Sequence, residues 1–166
     1  MQDLIAKAAT LLEALPYIQK FSGETFVVKY GGSFMDSPDP KVRTGVGADI
    51  VFLEAVGINP VVVHGGGKAI TKAMEKSGLE VQFVQGRRYT DQRTLTVVEQ
   101  VLCNEINRQI VSTIETLGSS AMGLHTLGSC VLFGDKLFLE EEGRKIDLGF
   151  VGHVTSVNSR LLELLC

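Results

Sequence analysis

At 166 residues, 45% hydrophobic and 21% charged, with a net charge of −3, the chain holds enough apolar material for one well-buried domain but is short for two. This balance excludes intrinsic disorder, and the missing basic excess excludes a nucleic-acid-binding module, whose phosphate partner demands positive charge. Three widely spaced cysteines, Cys103, Cys130 and Cys166, form no CxxC pair and no even set, so reduced thiols are expected.

In chain order, the first predicted element is a helix over residues 2–21. Leu4, Ile5, Ala8, Leu11, Leu12, Leu15, Ile18 and Phe21 recur at helical spacing and form one apolar stripe. Pro16 removes a donor inside it and predicts a kink or a split. The pattern alone leaves open whether the stripe covers its own domain or a neighbouring subunit. Asp3, Lys7 and Glu13 interrupt the apolar residues, so no signal peptide is expected. No apolar run reaches the roughly 20 residues that span a bilayer, and a cytoplasmic protein without membrane partners is expected.

Residues 25–30, Thr-Phe-Val-Val-Lys-Tyr, predict strand one, followed by Gly31-Gly32 and a polar loop in which Pro38 and Pro40 argue against regular structure. A helix is predicted over 41–57, and strand two from Pro60 to His64. The run Val61-Val62-Val63 predicts a strand covered on both faces. It ends in Gly65-Gly66-Gly67-Lys68, and a helix follows over about residues 69–77 with Gly78 as its cap. The order strand, helix, strand, helix predicts right-handed crossovers and an α/β fold with a mainly parallel central sheet between helices. Downstream, residues 81–89 predict a hairpin carrying Arg87 and Arg88, and a long helix is predicted over 92–117, capped by Thr90 or Asp91. Short strands are expected at 121–124, 130–133 and 136–139, with a tight turn at Gly134-Asp135. Residues 146–157 read as strands bent at glycine, and Asn158-Ser159 opens a last short helix over 160–165. That helix stops after less than two turns without a polar tail, as a chain cut rather than finished would.

The chemistry gathers at the two glycine turns. Glycines free backbone N–H groups for close approach, and a following helix start favours an anion. A sharp turn beneath a close-packed helix is the alternative reading of Gly65-Gly66-Gly67. Neither turn matches a P-loop or GxGxxG. Lys29, at the end of an apolar strand, is costly to bury unless an anion meets it, and otherwise reaches water. Arg87 and Arg88 are candidate carboxylate clamps or solvated hairpin residues. His64, His125 and His153 lack metal spacing and are expected to be hydrogen-bonded structural residues; no metal ligands are assigned. Glu140-Glu141-Glu142 reads as a solvated turn.

Taken together, Val28-Lys29-Tyr30-Gly31-Gly32-Ser33, Val62-Val63-His64-Gly65-Gly66-Gly67, Gly86-Arg87-Arg88-Tyr89-Thr90-Asp91 and Leu148-Gly149-Phe150-Val151-Gly152 resemble the acetylglutamate kinase branch of the amino acid kinase family. The resemblance runs from Thr25 to the end and implies an amino acid kinase-like domain at 23–166, with residues 1–22 as an oligomerisation or regulatory helix. It implies MgATP-dependent phosphorylation of the N-acetyl-L-glutamate side-chain carboxylate in arginine biosynthesis, with no tightly bound cofactor. Residue by residue, Lys29 would stabilise the transferring phosphoryl group and the N–H groups of Gly31 and Gly32 would cradle it. Gly65 and Gly66 would hold the acceptor, and Arg88 would pair with its α-carboxylate. The resemblance further implies a homo-oligomer, a dimer or a hexamer joined through the first helix, and L-arginine as feedback inhibitor. Family members continue into a nucleotide-binding half that is missing here, so this stretch alone is expected not to turn over ATP. An acetylated homologue such as N-acetyl-aminoadipate as acceptor, or a non-catalytic anion-binding module, are the alternatives.

Overall fold

A computed structural model of the chain describes residues 1–31, 37, 39–125 and 129–166. Helix α1 (Gln2–Phe21) runs unbroken through Pro16. Its apolar stripe is left in the open: Leu4, Leu11 and Leu12 are each about two-thirds exposed, and no α1 residue is buried. The helix is anchored at its C-terminal end, where Phe21 meets the ring of Phe26 edge-on at 5.4 Å and Gly23 N–H donates to Gly57 O at 2.6 Å.

Strands β1 (Thr25–Tyr30) and β2 (Asn59–His64) pair in parallel, in register from Thr25 opposite Asn59 to Tyr30 opposite His64. Between them runs α2 (Pro40–Ala55), which gives the predicted order of strand, helix and parallel strand. Pro40 does not exclude a helix: it occupies the first turn, where its missing N–H costs nothing, behind an Asp39 cap that accepts from Lys41 N–H at 2.8 Å. The expectation that β2 is covered on both faces holds on one face only. Phe26, Val28 and Tyr30 turn inward, whereas Val27 is 71% and Val63 51% exposed. Helix α2 packs against β2 and against the last helix of the long helical run. Gly47 permits the latter contact, since a Cβ there would stand 2.9 Å from Thr113 Cγ2.

Helix α3 (Gly67–Lys76) starts two residues earlier than the periodicity suggests, with Gly66 at its cap. Ile70 and Met74 on its inner face join Val101 in a core extended by Ala73, Leu79, Val97, Leu102 and Ile106. Gly78 closes it in the left-handed conformation, letting Leu79 N–H return to Met74 O at 2.9 Å. The predicted hairpin is β3 (Phe83–Val84) and β4 (Arg87–Arg88), joined by Gln85-Gly86, both at positive φ as a two-residue hairpin turn requires.

Asp91 caps α4 (Gln92–Glu99) by accepting from Thr94 N–H at 2.7 Å. The run continues through a π-helical stretch, Gln100–Asn107, into α5 (Arg108–Thr116). Residues 121–124 form no strand. The expected pair of short strands around Gly134-Asp135 is instead one strand, β5 (Leu132–Glu141), antiparallel to β6 (Arg144–Val157). The turn falls at Glu142-Gly143, both at positive φ, while Gly134 serves a register shift where the backbones approach closely. Helix α6 (Ser159–Leu165) is capped by Asn158, as expected. No disulfide links the three cysteines. Among the described residues, no helix is long and apolar enough to cross a membrane.

Candidate functional site

Parallel pairing brings the carboxyl ends of β1 and β2 side by side, and both glycine turns leave from that edge. Gly65 N–H reaches back to Tyr30 O at 3.4 Å, which ties the second turn to the start of the first. Lys29 sits one residue before this edge, opposite Val63, and is exposed, so it carries no burial penalty. Gly31 follows at the edge, while Gly32 and Pro38 lie outside the described residues. Gly65 and Gly66 lead directly into α3, whose first-turn N–H groups and partial positive charge face the same end.

Arg88 is brought onto this turn from a distant part of the chain. Its Nη2 donates to Thr71 Oγ1 at 2.7 Å and to Gly67 O at 3.2 Å, and Nη1 lies 3.2 Å from Met74 Sδ. The guanidinium also stands over the Phe83 ring, 4.7 Å from its centroid. Burial pulls its pKa below the usual value, though an arginine keeps its charge at neutral pH. Among the described residues, no carboxylate pairs with it. Arg87, the other candidate of the hairpin, is exposed.

Arg88, Phe83, Gly67, Thr71, Lys68, Lys72 and Glu75 line an open cleft of about 740 Å³. Arg88, which meets no carboxylate among the described residues, makes it a place for an anion, and its planar fork suits a carboxylate. Thr71 and Phe83, which fix that fork, were not singled out by motif. Thr71 follows Gly67 by one helical turn, and this spacing is the signal that could have found it. A second groove of about 460 Å³, bordered by Thr44, Arg108 and Thr113, contains none of the predicted site residues.

His64 is hydrogen-bonded as expected, to Asn107 and to the Gly65 carbonyl. His125 departs from the expectation: its Nδ1 is buried without a partner among the described residues. His153 is exposed. Among the described residues, no group of three or more His, Cys, Asp or Glu is placed to hold a metal ion.

Comparison with known proteins adds to this geometry. The sequence pattern of the amino acid kinase family matches residues 24–166. The chain is 46% identical over 162 residues to an acetylglutamate kinase of Halothermothrix orenii, covering 98% of this chain and 54% of that protein. It is 48% identical over 170 residues to an acetylglutamate kinase of Methanocaldococcus jannaschii, covering 99% of this chain and 56% of that one. It thus spans just over half the length of these relatives. Among solved structures, N-acetylglutamate synthase of Neisseria gonorrhoeae, complexed with coenzyme A and L-arginine, shares the fold with a TM-score of 0.67 at 22% identity. That match covers 95% of this chain and 36% of the synthase.

Proposed function

This chain belongs to the amino acid kinase family, and from that premise we propose that it forms the acceptor-binding part of an N-acetyl-L-glutamate 5-kinase. The reaction is transfer of the γ-phosphoryl group of MgATP to the side-chain carboxylate of N-acetyl-L-glutamate, an early step of arginine biosynthesis in the cytoplasm. The observation that carries the reading is Arg88. Its guanidinium, with no carboxylate partner among the described residues, is held on the carbonyl of Gly67 and on Thr71, at the mouth of the glycine turn. A charge fixed there at the cost of desolvation is matched by the α-carboxylate of an amino-acid substrate.

In this reading Arg88 anchors the α-carboxylate, and Gly65 and Gly66 hold the acceptor beside the edge from which Lys29 and Gly31 project. Lys29, with Gly31 and Gly32, meets the transferring phosphoryl group. Phosphoryl transfer asks mainly for alignment and charge stabilisation, and an ionised carboxylate attacks without a general base. The adenosine end of ATP is assigned to no residue of this chain. Residues 1–22 form an assembly element between copies, with L-arginine as the regulatory ligand; the exposed stripe of α1 supports the assembly role.

The test is calorimetric titration of the chain with N-acetyl-L-glutamate. Saturable binding is expected, weakened about tenfold or more in Arg88→Ala, since a hydrogen-bonded charge contributes about 1.5–3 kcal/mol. Arg88→Lys should not restore it, because an ammonium lacks the fork. Absence of saturable binding, or equal binding by Arg88→Ala, rejects the assignment. Tighter binding of N-acetyl-aminoadipate would change the acceptor.

A further inference from the structure

We propose that His64 is a positioning residue that aims the Gly66 N–H, and that Asn107 holds its imidazole in one neutral tautomer. The inference rests on reading the glycine turn as the acceptor site. His64 Nδ1 lies 3.2 Å from Gly65 O, and His64 Nε2 lies 3.3 Å from Asn107 Nδ2. A carbonyl oxygen only accepts, so the first contact requires a proton on Nδ1. An amide nitrogen only donates, so the second requires a bare Nε2. One species meets both demands, the neutral ring protonated at Nδ1. In this orientation the carboxamide oxygen faces Gly123, where a Cβ would collide with it, and the nitrogen faces the ring.

The consequence falls on the next peptide. With the Gly65 carbonyl held by the ring, the Gly66 N–H of the same trans peptide points the opposite way, away from the imidazole. Gly65 N–H is engaged with Tyr30 O, whereas Gly66 N–H has no acceptor among the described residues. The other side of Gly66 is closed, since a Cβ there would stand 2.6 Å from Leu102 Cδ2 and 2.7 Å from Ile106 Cδ1. Leu102, Ile106 and Asn107 all come from the π-helical stretch. Its i to i+5 hydrogen bonding stacks residues four and five apart on one face, so the apolar backing and the amide reach the turn together. A donor fixed before the ligand arrives needs no reorganisation when it binds.

Nitrogen-15 NMR of the chain tests this without relying on turnover. In the wild-type chain at neutral pH, ring spectra should show the proton on Nδ1 and a bare Nε2. Asn107→Leu should release the ring into mixed tautomers, shift the Gly66 amide resonance, and weaken N-acetyl-L-glutamate binding about tenfold. Asn107→Asp provides the second variant. Its carboxylate draws a second proton onto Nε2 and leaves Nδ1–H in place, so the Gly66 amide should stay near its wild-type position. A wild-type proton on Nε2, or a Gly66 resonance unmoved by Asn107→Leu, overturns the proposal. If the wild-type chain binds no N-acetyl-L-glutamate, the functional reading fails, and the ring and amide spectra still decide whether His64 aims Gly66.

Discussion

Individual side chains divide here into those that act through their nearest chain neighbours and those that act across the fold. Asp91 and Asp147 belong to the first kind. The Thr94 backbone N–H, accepted by Asp91, holds that carboxyl below the usual carboxylate range. Asp147 is lowered first by Lys136, 2.7 Å away, and then by the Gly149 N–H. A carboxyl whose folded pKa is depressed contributes stability above its unfolded pKa of about 3.9 and loses that contribution as pH falls through the folded value. Both groups are exposed, so the effect should be small and weakened by salt. Thermal melts should show an acid limb beginning near pH 4 that is shallower in Asp91→Asn and Asp147→Asn; identical limbs in all three proteins would contradict the assignment. Asp91 was readable as a cap because caps are local. Arg88 belongs to the second kind, since its partners Gly67 and Thr71 are 21 and 17 residues away in sequence.

At the level of elements, the helices were legible because a 3.6-residue apolar period over ten or more positions is hard to mimic. The β5–β6 hairpin was not. Gly134-Asp135 and Glu142-Gly143 both offer a turn, and only pairing along the full strands selects the second. What the hairpin does is set by one further contact. Gly149, at φ +77°, bridges to Thr90: Thr90 N–H donates to Leu148 O at 2.9 Å, and Phe150 N–H donates to Thr90 O at 2.7 Å. Thr90 in turn donates through Oγ1 to the carbonyl of Arg88 at 3.1 Å, so the hairpin is tied to the strand that carries the clamp. A Cβ on Gly149 would collide with Thr90 O, whereas Gly143, at φ +75°, has open space around it. Gly143→Ala should therefore cost only the left-handed strain, about 1–2 kcal/mol, and Gly149→Ala clearly more. Urea unfolding compares the two, and equal midpoints would show that the bridge does not hold the hairpin.

The whole molecule exposes 11750 Å², against about 8,000 Å² for a compact monomer of 18.0 kDa. Large apolar side chains are exposed along the stripe of α1, at Val27 and Val63 on the outer face of β1 and β2, and at Phe133, Phe138 and Phe150 on the hairpin. An unburied helix stripe gains most by meeting another copy of itself or another face of the same protein. Removing residues 1–20 is expected to lower the number of copies per particle, measured by light scattering as particle mass over chain mass, while leaving the far-ultraviolet signal of the remaining elements intact. An unchanged number of copies would dismiss α1 as an assembly element. The sequence by itself determined the helices, the caps at Gly78, Asp91 and Asn158, the βαβ order and the glycine-rich candidate turns, because each follows from periodicity or from backbone chemistry a few residues long. Only the tertiary structure decided that Arg88 docks on the second turn, that His64 and Asn107 meet behind it, and that Gly149 pins the hairpin to Thr90. Those contacts join residues tens of positions apart, and no local preference encodes which distant partner a side chain will meet.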